Sequence, residues 1–302
     1  MTSPLLVVGS VGLDTIETRA GKREEILGGA ATYISLAASH FCTVNMVAVV
    51  GEDDFSKDHV DLLVSRGVDL EGLERAPGKT FRWSGVYAED FSSRTTLDTQ
   101  LGVFESFDPK IPPAYLSSRF ALLGNIHPAL QLKVLDTLEE GTFVAADTMN
   151  LWIDITREDL NKVISRVDLL VINDEEAHML TGERQVIQAA EKLRKMGPRA
   201  LIIKRGEHGA YLFSDDAPFF APAIPLPDVI DPTGAGDTFA AGLMGYLAGT
   251  EDSTSTAIRK GMVYGAACAS ATVEGFGVER LAALDRAGLN DRYQILRDLV
   301  TV

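Results

Sequence analysis

The chain has 302 residues, with 28 Lys or Arg against 43 Asp or Glu, and its formal net charge at pH 7 is −15. This acidity argues against binding to nucleic acids or anionic membranes, because both require basic surfaces. About 46% of the residues are hydrophobic, which is typical of a soluble globular protein with a substantial core. No apolar run reaches the roughly 18 residues of a membrane span, and neither a signal peptide nor a cysteine framework is recognisable. We therefore expect a cytoplasmic protein.

Short apolar runs alternate with helical stretches along most of the chain. We predict buried strands over 5–9, 44–50, 120–124, 142–146, 168–172 and 200–203. Helices are predicted over 30–39, 55–66, 129–138, 156–165, 185–196, 236–248, 253–273 and 290–299. This alternation predicts an α/β fold with a doubly wound, mainly parallel sheet and helices on both faces. In such folds ligands bind at the carboxyl ends of the strands.

Two segments, at about 14–27 and 79–104, show the period-two alternation of half-buried strands instead. We expect them to form a small β-sheet, inserted into one α/β domain that spans 1–302, that either covers an active site as a lid or pairs with another subunit. The aromatics of this sheet could roof a nucleobase, pack the small sheet or form a dimer contact: Phe81, Trp83 and Tyr87.

The stretch 231–239 carries the strongest chemical signal, because small residues meet the start of a predicted helix there. The backbone N–H groups of Gly234, Ala235 and Gly236 would lie at the positive end of the helix dipole, where they could hold a phosphoryl group. Asp237 follows directly and could accept a proton from an attacking hydroxyl. Alternatively, Asp237 only stabilises the helix N-terminus.

Other nucleotide-binding and hydrolase signatures are absent from the sequence. It contains no GxxxxGK[ST] P-loop, no GxGxxG after the first strand, no HExxH and no GxSxG. P-loop NTPases, dinucleotide-dependent oxidoreductases, zinc peptidases and α/β-hydrolases are therefore disfavoured.

The 231–239 stretch closely resembles the second signature of the ribokinase-like (PfkB) carbohydrate and nucleoside kinase family, in which it carries the catalytic base and the anion hole. Three further matches follow the family's order. The pair Gly28-Gly29 resembles the first signature, which touches the substrate, although it could be an ordinary turn. Asn173 and Glu176 resemble the NxxE motif that organises phosphate, Mg²⁺ and water; the same spacing is a helix capping box, and both can hold at once.

The third match is the stretch 204–209, which is similar to the family's KxGxxG turn beside the nucleotide. The resemblance implies ATP-binding roles for Lys204, Gly206 and Gly209. The same pattern is typical of a β-hairpin turn. Thr233 is placed beside ATP by the resemblance. Asp231, with Thr233, matches one side of a monovalent-cation site, so the cofactors implied are ATP, Mg²⁺ and, in some members, K⁺.

On the substrate side, the resemblance assigns Asp14 to the ribose hydroxyls. A departure follows at Tyr33, which stands where the GGxxxN signature has Asn. Tyr33 could stack on a ligand, hydrogen-bond to it, or belong to the core. Four residues after other strands share the general placement without a family match: Asn125, His127, Asp147 and Asn150.

The resemblance implies an ATP-dependent kinase that phosphorylates a primary hydroxyl, with Asp237 as general base. The departure at Tyr33 and the aromatic lid favour the 5′-hydroxyl of a nucleoside. A ribose-like or fructose-like sugar is the alternative acceptor, and a non-catalytic nucleotide-binding relative is a third hypothesis. The expected partner is a small molecule, and the expected assembly is a monomer or a lid-mediated homodimer.

Overall fold

The computed structural model describes residues 3–301 of the chain. In that part the strands are β1 (Leu5–Val8), β2 (Gly12–Thr18), β3 (Gly21–Gly28), β4 (Val44–Gly51), β5 (Val68–Ala76), β6 (Phe81–Tyr87), β7 (Arg94–Gln100), β8 (Phe120–Leu123), β9 (Phe143–Ala146), β10 (Leu169–Asn173), β11 (Ala200–Lys204), β12 (Ala210–Phe213) and β13 (Phe219–Ala221). The α-helices are α1 (Ala30–Ala38), α2 (Lys57–Ser65), α3 (Pro128–Thr137), α4 (Asn150–Ile155), α5 (Arg157–Ile164), α6 (Asp174–Thr181), α7 (Val186–Arg194), α8 (Ala235–Thr250), α9 (Ser255–Thr272), α10 (Glu279–Ala283) and α11 (Arg286–Asp298).

The main sheet has nine strands in the order β13-β12-β11-β10-β9-β8-β1-β4-β5. The strands from β11 to β5 run parallel to their neighbours, while β12 and β13 pair antiparallel at one edge. Chain order reverses direction around β1, which is the doubly wound arrangement predicted from the sequence. The six predicted strands correspond to β1, β4, β8, β9, β10 and β11. β5 escaped prediction because it is an edge strand whose charged residues interrupt its apolar pattern.

Helices cover both faces of this sheet, as predicted. Within β1, Leu5 and Val7 pack into one hydrophobic cluster, whereas Leu6 and Val8 pack into another on the opposite side. The first cluster contains buried residues of α1, α8 and α9, and the second contains residues of α3 and α5. Both faces of the sheet are therefore buried, and this explains why the sequences of these strands are unbroken apolar runs.

A second, four-stranded sheet has the order β3-β2-β6-β7 and forms the lid. β2 pairs antiparallel with β3 and parallel with β6, and β6 pairs antiparallel with β7. The two inserted segments thus associate with each other, as expected, although the assignment of 1–302 to one domain stays a prediction. Across residues 3–301, no helix combines the length and the apolarity needed to span a membrane.

Candidate active site

The N-terminus of α8 is built around a left-handed glycine. Gly234 has φ 74° and forms the N-cap, and any side chain there would overlap the ring of Tyr33 on α1. Thr238 N–H makes the first helical hydrogen bond to Gly234 O at 2.8 Å. Among the described residues, the N–H groups of Gly234 and Gly236 have no backbone acceptor, whereas Ala235 N–H donates to Pro232 O at 3.2 Å. The helix end therefore offers open donors to an anion.

Asp237 lies on the first turn of α8, directly after these donors. No side-chain hydrogen bond caps the helix, and the Oδ1 atom of Asp237 is buried without a hydrogen-bond partner among residues 3–301. Burial and the carboxylate of Asp147 raise the pKa of Asp237 to about 7, while the ammonium of Lys204 opposes the shift. A carboxylate with a free oxygen and a pKa near neutrality is suited to accept a proton.

Lys204, the last residue of β11, lies at the centre of an acidic cluster. Its Nζ atom is 3.3 Å from Oδ2 of Asp147 and would be 2.9 Å from a Cβ at Gly236. Burial opposes the positive charge of Lys204, but the nearby carboxylates raise its pKa above the ordinary value: Asp147, Glu176 and Asp237. This cluster joins the ends of β9 and β11 to the first turns of α6 and α8, and it puts a cation beside the anion-binding donors.

Asn173 and Glu176 form the capping box of α6. Asn173 Oδ1 accepts from the N–H of Glu176, and Glu176 Oε2 accepts from the N–H of Asn173, both at 2.8 Å. Burial and the carboxylate of Asp147 raise the pKa of Glu176 to about 8. The capping interpretation of the NxxE spacing is therefore realised. The capping bond uses Oε2 of Glu176, and the carboxyl group as a whole lies near that of Asp147, so a role at the phosphates is compatible with capping.

The Gly28-Gly29 pair brings backbone against Asp14 of β2. A Cβ at Gly28 would overlap Oδ2 of Asp14, and Gly29 adopts φ 87° as the N-cap of α1. Asp14 is only 4% exposed. Burial and the carboxylate of Asp231 raise the pKa of Asp14 to about 7, while the N–H of Gly29 opposes the shift. The two glycines thus make room for a buried carboxylate rather than only turning the chain.

Tyr33 is 1% exposed, and its ring lies against Gly234. Its hydroxyl is buried without a hydrogen-bond partner in the described part of the chain. Burial and then the carboxylates of Asp14, Asp231 and Asp237 raise the pKa of Tyr33 well above its usual value. The ring of Tyr33 therefore packs against the turn at Gly234, and its unpaired hydroxyl lies near these carboxylates.

Asp231 ties the loop before α8 to the turn after α9. Its Oδ1 accepts from Thr233 N–H at 2.8 Å, and its Oδ2 accepts from Gly277 N–H at 2.9 Å. Thr233 in turn lies under the lid, because its Oγ1 is 3.0 Å from the hydroxyl of Tyr87 on β6. The lid sheet therefore contacts the loop that leads into the anion-binding helix.

The KxGxxG stretch forms the connection between β11 and β12. Gly206 and Gly209 have φ values of 53° and 78°, and Arg205 N–H donates to Gly209 O at 2.8 Å. β11 and β12 pair antiparallel, so the hairpin interpretation is realised. Of the three predicted ATP-binding residues in this stretch, Lys204 is the one that the structure brings to the anion-binding donors.

The donor set suits a magnesium ion that is shared with phosphates. Over residues 3–301, no three His, Cys, Asp or Glu side chains are grouped as a complete metal cage. Two buried carboxylates, Asp147 and Glu176, nevertheless lie beside the anion-binding helix end. Mg²⁺ is usually bound by one or two carboxylates, with waters and substrate phosphates completing its shell, so these residues fit it.

The sequence predicted the general placement of Asp147, because it follows a strand, now β9, but gave it no role. Arg94 was not predicted as a site residue. Arg94 begins β7 and pairs directly with Tyr87 across the lid sheet. Arg94 is recognised as a site residue only through the register of the β6–β7 pairing, and the sequence gives no indication of that register.

One family description matches most of the chain. The model described as "pfkB family carbohydrate kinase" matches residues 5–282. The chain belongs to the pfkB family of carbohydrate kinases. Members of this family phosphorylate hydroxyl-bearing substrates, and the chain is therefore a kinase with an alcohol group as acceptor.

Curated members of the family differ in their acceptors. The chain is 34% identical over 253 residues to a cytidine kinase of Thermococcus kodakarensis. The match covers 81% of this chain and 89% of that protein. It is 26% identical over 268 residues to a 2-dehydro-3-deoxygluconokinase of Thermoproteus tenax, with 82% and 81% covered. Among solved structures, Arabidopsis thaliana ribokinase complexed with ribose and ATP superposes with a TM-score of 0.76 at 23% identity, covering 97% of this chain and 99% of the other. That similarity confirms the ribokinase fold.

Proposed function

We propose that this pfkB-family kinase transfers the γ-phosphoryl group of ATP to the 5′-hydroxyl of a nucleoside. The observation that carries the proposal is the Asp237 carboxylate, whose buried Oδ1 has no partner among residues 3–301 and which follows open N–H donors at the start of α8. A protein that only bound nucleotide would have no use for a base in that place.

In this mechanism Asp237 accepts the proton of the acceptor hydroxyl as its oxygen attacks the γ-phosphorus. The bond from that phosphorus to the β–γ bridging oxygen breaks, and ADP leaves. The N–H groups of Gly234 and Gly236, together with the ammonium of Lys204, stabilise negative charge on the transferring group. Asp147 and Glu176 would hold Mg²⁺, which when bound neutralises phosphate charge.

Asp14 supplies the acceptor-binding carboxylate, oriented by Gly29 and made possible by the absence of a side chain at Gly28. A carboxylate can accept two hydrogen bonds from neighbouring ribose hydroxyls. The nucleoside assignment rests on the higher identity to the cytidine kinase, 34% against 26% for the sugar-acid kinase, and on the aromatic face that the lid presents beside Thr233.

The test is ADP release from Mg·ATP with nucleosides and free sugars as acceptors, using Asp237→Asn as the blank. We expect turnover with one or more nucleosides, and phosphate on the 5′-oxygen of the product. Turnover with a sugar or sugar acid alone would move the acceptor to that class. Absence of turnover with every acceptor would contradict the kinase activity itself.

The same assay tests the monovalent cation. Because both oxygens of Asp231 already accept backbone N–H groups, its carboxylate joins two loops beside Thr233. We propose that K⁺ binds at this junction and stabilises the anion-binding turn. Turnover should then rise when K⁺ replaces a tetraalkylammonium salt at equal ionic strength, and equal rates in both salts would exclude the cation site.

A further inference from the structure

Arg94 belongs to an organised face of the lid. It lies directly opposite Tyr87 in the β6–β7 pairing, and Gly85 lies opposite Thr96. Directly paired residues place their side chains on the same face of a sheet. Trp83, two residues before Gly85, shares that face, and its indole N–H donates to Thr96 Oγ1 at 3.2 Å. This face is turned toward the loop before α8, because the hydroxyl of Tyr87 lies 3.0 Å from Oγ1 of Thr233.

The guanidinium of Arg94 is held but not neutralised. Its central carbon lies 5.3 Å from the centroid of the Trp83 ring, and that ring lies over Gly85, where any side chain would overlap it. Within residues 3–301 Arg94 forms no ion pair with a carboxylate at 4 Å or less. The side chain is exposed, although the protein carries a net charge of −15. A stacked, unpaired arginine is available to an anionic ligand.

This cation faces the reacting groups. Burial is the main influence on the pKa of both Asp14 and Asp237 and raises it, whereas the charge of Arg94 opposes the rise at both. The geometry agrees, because Arg94 is paired with Tyr87, whose hydroxyl is 3.0 Å from Oγ1 of Thr233, the residue before Gly234. Lys204 approaches the same helix N-terminus at Gly236, and under the proposed function the transferring group must lie there.

We propose that Arg94 is a lid-borne catalytic residue that binds the transferring γ-phosphoryl group and stabilises its charge from the lid, while Lys204 does so from β11. This proposal rests on the proposed function. As the acceptor oxygen bonds to phosphorus and the bond to ADP breaks, negative charge on the equatorial oxygens is shared between the helix donors, Lys204 and Arg94. Trp83 and Tyr87 position the guanidinium, so lid closure and completion of the phosphoryl site are one event.

The test compares Arg94→Gln with wild type, using the acceptor that the wild-type enzyme phosphorylates. Removal of one preorganised donor to a developing charge typically lowers the rate by about 10²–10³-fold, and we expect that loss in kcat with acceptor KM changed less than threefold. Arg75→Gln is the matched control, because Arg75 also stacks on an aromatic ring, at 5.9 Å from Phe55, but lies on β5 of the main sheet. It should retain wild-type kcat.

Two further measurements separate a catalytic role from a structural one. Arg94→Ala should recover turnover when guanidinium ion is added, and Arg75→Ala should not respond. In a Trp152→Phe background Trp83 is the single tryptophan, so its fluorescence should report lid closure on nucleotide binding in both the Arg94 and the Arg94→Gln forms. If Arg94→Gln keeps wild-type kcat, or raises acceptor KM alone, the proposal is overturned. If wild type itself has no turnover with any acceptor, the proposed function fails instead.

Discussion

The carboxylate of Asp14 occupies the space that the first side-chain atom of residue 28 would need. A Cβ on Gly28 would overlap Oδ2 of Asp14, which lies on the adjacent strand of the lid sheet. The position of the Asp14 carboxylate therefore requires glycine at residue 28. The glycine of the family's first signature is therefore required by a contact inside the protein, in addition to any contact with a ligand.

Gly28→Ala should disturb acceptor binding through Asp14. The added methyl group must displace the carboxylate, and we expect acceptor KM to rise more than tenfold while the KM for ATP changes little. Asp14→Ala should have the same pattern, because a ribose hydroxyl then loses a charged partner. Gly288→Ala, where the nearest neighbour is 3.3 Å away, is the control. Equal increases in both KM values would assign Asp14 a structural role.

Asp237→Asn should lower kcat by about 10²–10⁴-fold, since general-base catalysis is typically worth that much. The amide has nearly the same shape as the carboxylate, so ATP affinity measured by calorimetry should change little. A variant that turns over like wild type would remove Asp237 from the role of base.

The pH dependence of kcat, measured with both substrates saturating, should report the ionisation of Asp237. Because its pKa is raised to about 7, mainly by burial, the carboxylate becomes increasingly protonated below neutrality. The rate constant should then fall about tenfold for each pH unit below about 7. A profile that is flat between pH 5.5 and 8 would contradict a raised pKa at the catalytic base.

Asp14 should make stability depend on pH. Its pKa in the folded protein is about 7, against an ordinary value of 3.8. Between these values the folded state keeps a proton that the unfolded state has lost, so the free energy of unfolding falls as pH rises, by at most about 4 kcal/mol. Asp14→Asn cannot ionise, and its Tm should exceed that of wild type at pH 8 but not at pH 4.5. The exposed Asp291→Asn should show no such difference between the two pH values.

Tyr33→Phe should separate the two functions considered for this tyrosine. The hydroxyl is buried without a partner, and an unpaired buried polar group costs about 1–3 kcal/mol. Its removal should therefore raise Tm, while the ring continues to support Gly234. If the hydroxyl binds the acceptor, acceptor KM should rise in the same variant. An unchanged KM would assign Tyr33 to the support of the turn alone.

The local features of this protein follow from short stretches of its sequence. Unbroken apolar runs predicted β1, β4 and β8–β11, because strands covered on both faces carry few polar residues. Period-two alternation predicted the lid, and the small residues at 234–236 predicted the open N–H donors at the start of α8. In each case the physical cause lies within about ten consecutive residues, so a single segment contains the information.

Which charged side chains lie near one another depends on the folded arrangement of distant segments. Lys204 at the end of β11 lies near Asp147 after β9, Glu176 on α6 and Asp237 on α8, and Arg94 lies beside Tyr87 because β7 pairs with β6 in one register. Strand order and register arise from packing across the whole domain, so Lys204 and Asp147 come into contact across 57 positions without a local signal. Coulombic energies and burial depend on the distances between groups in the folded protein. The raised pKa values of Asp14 and Asp237 therefore cannot be predicted from the sequence.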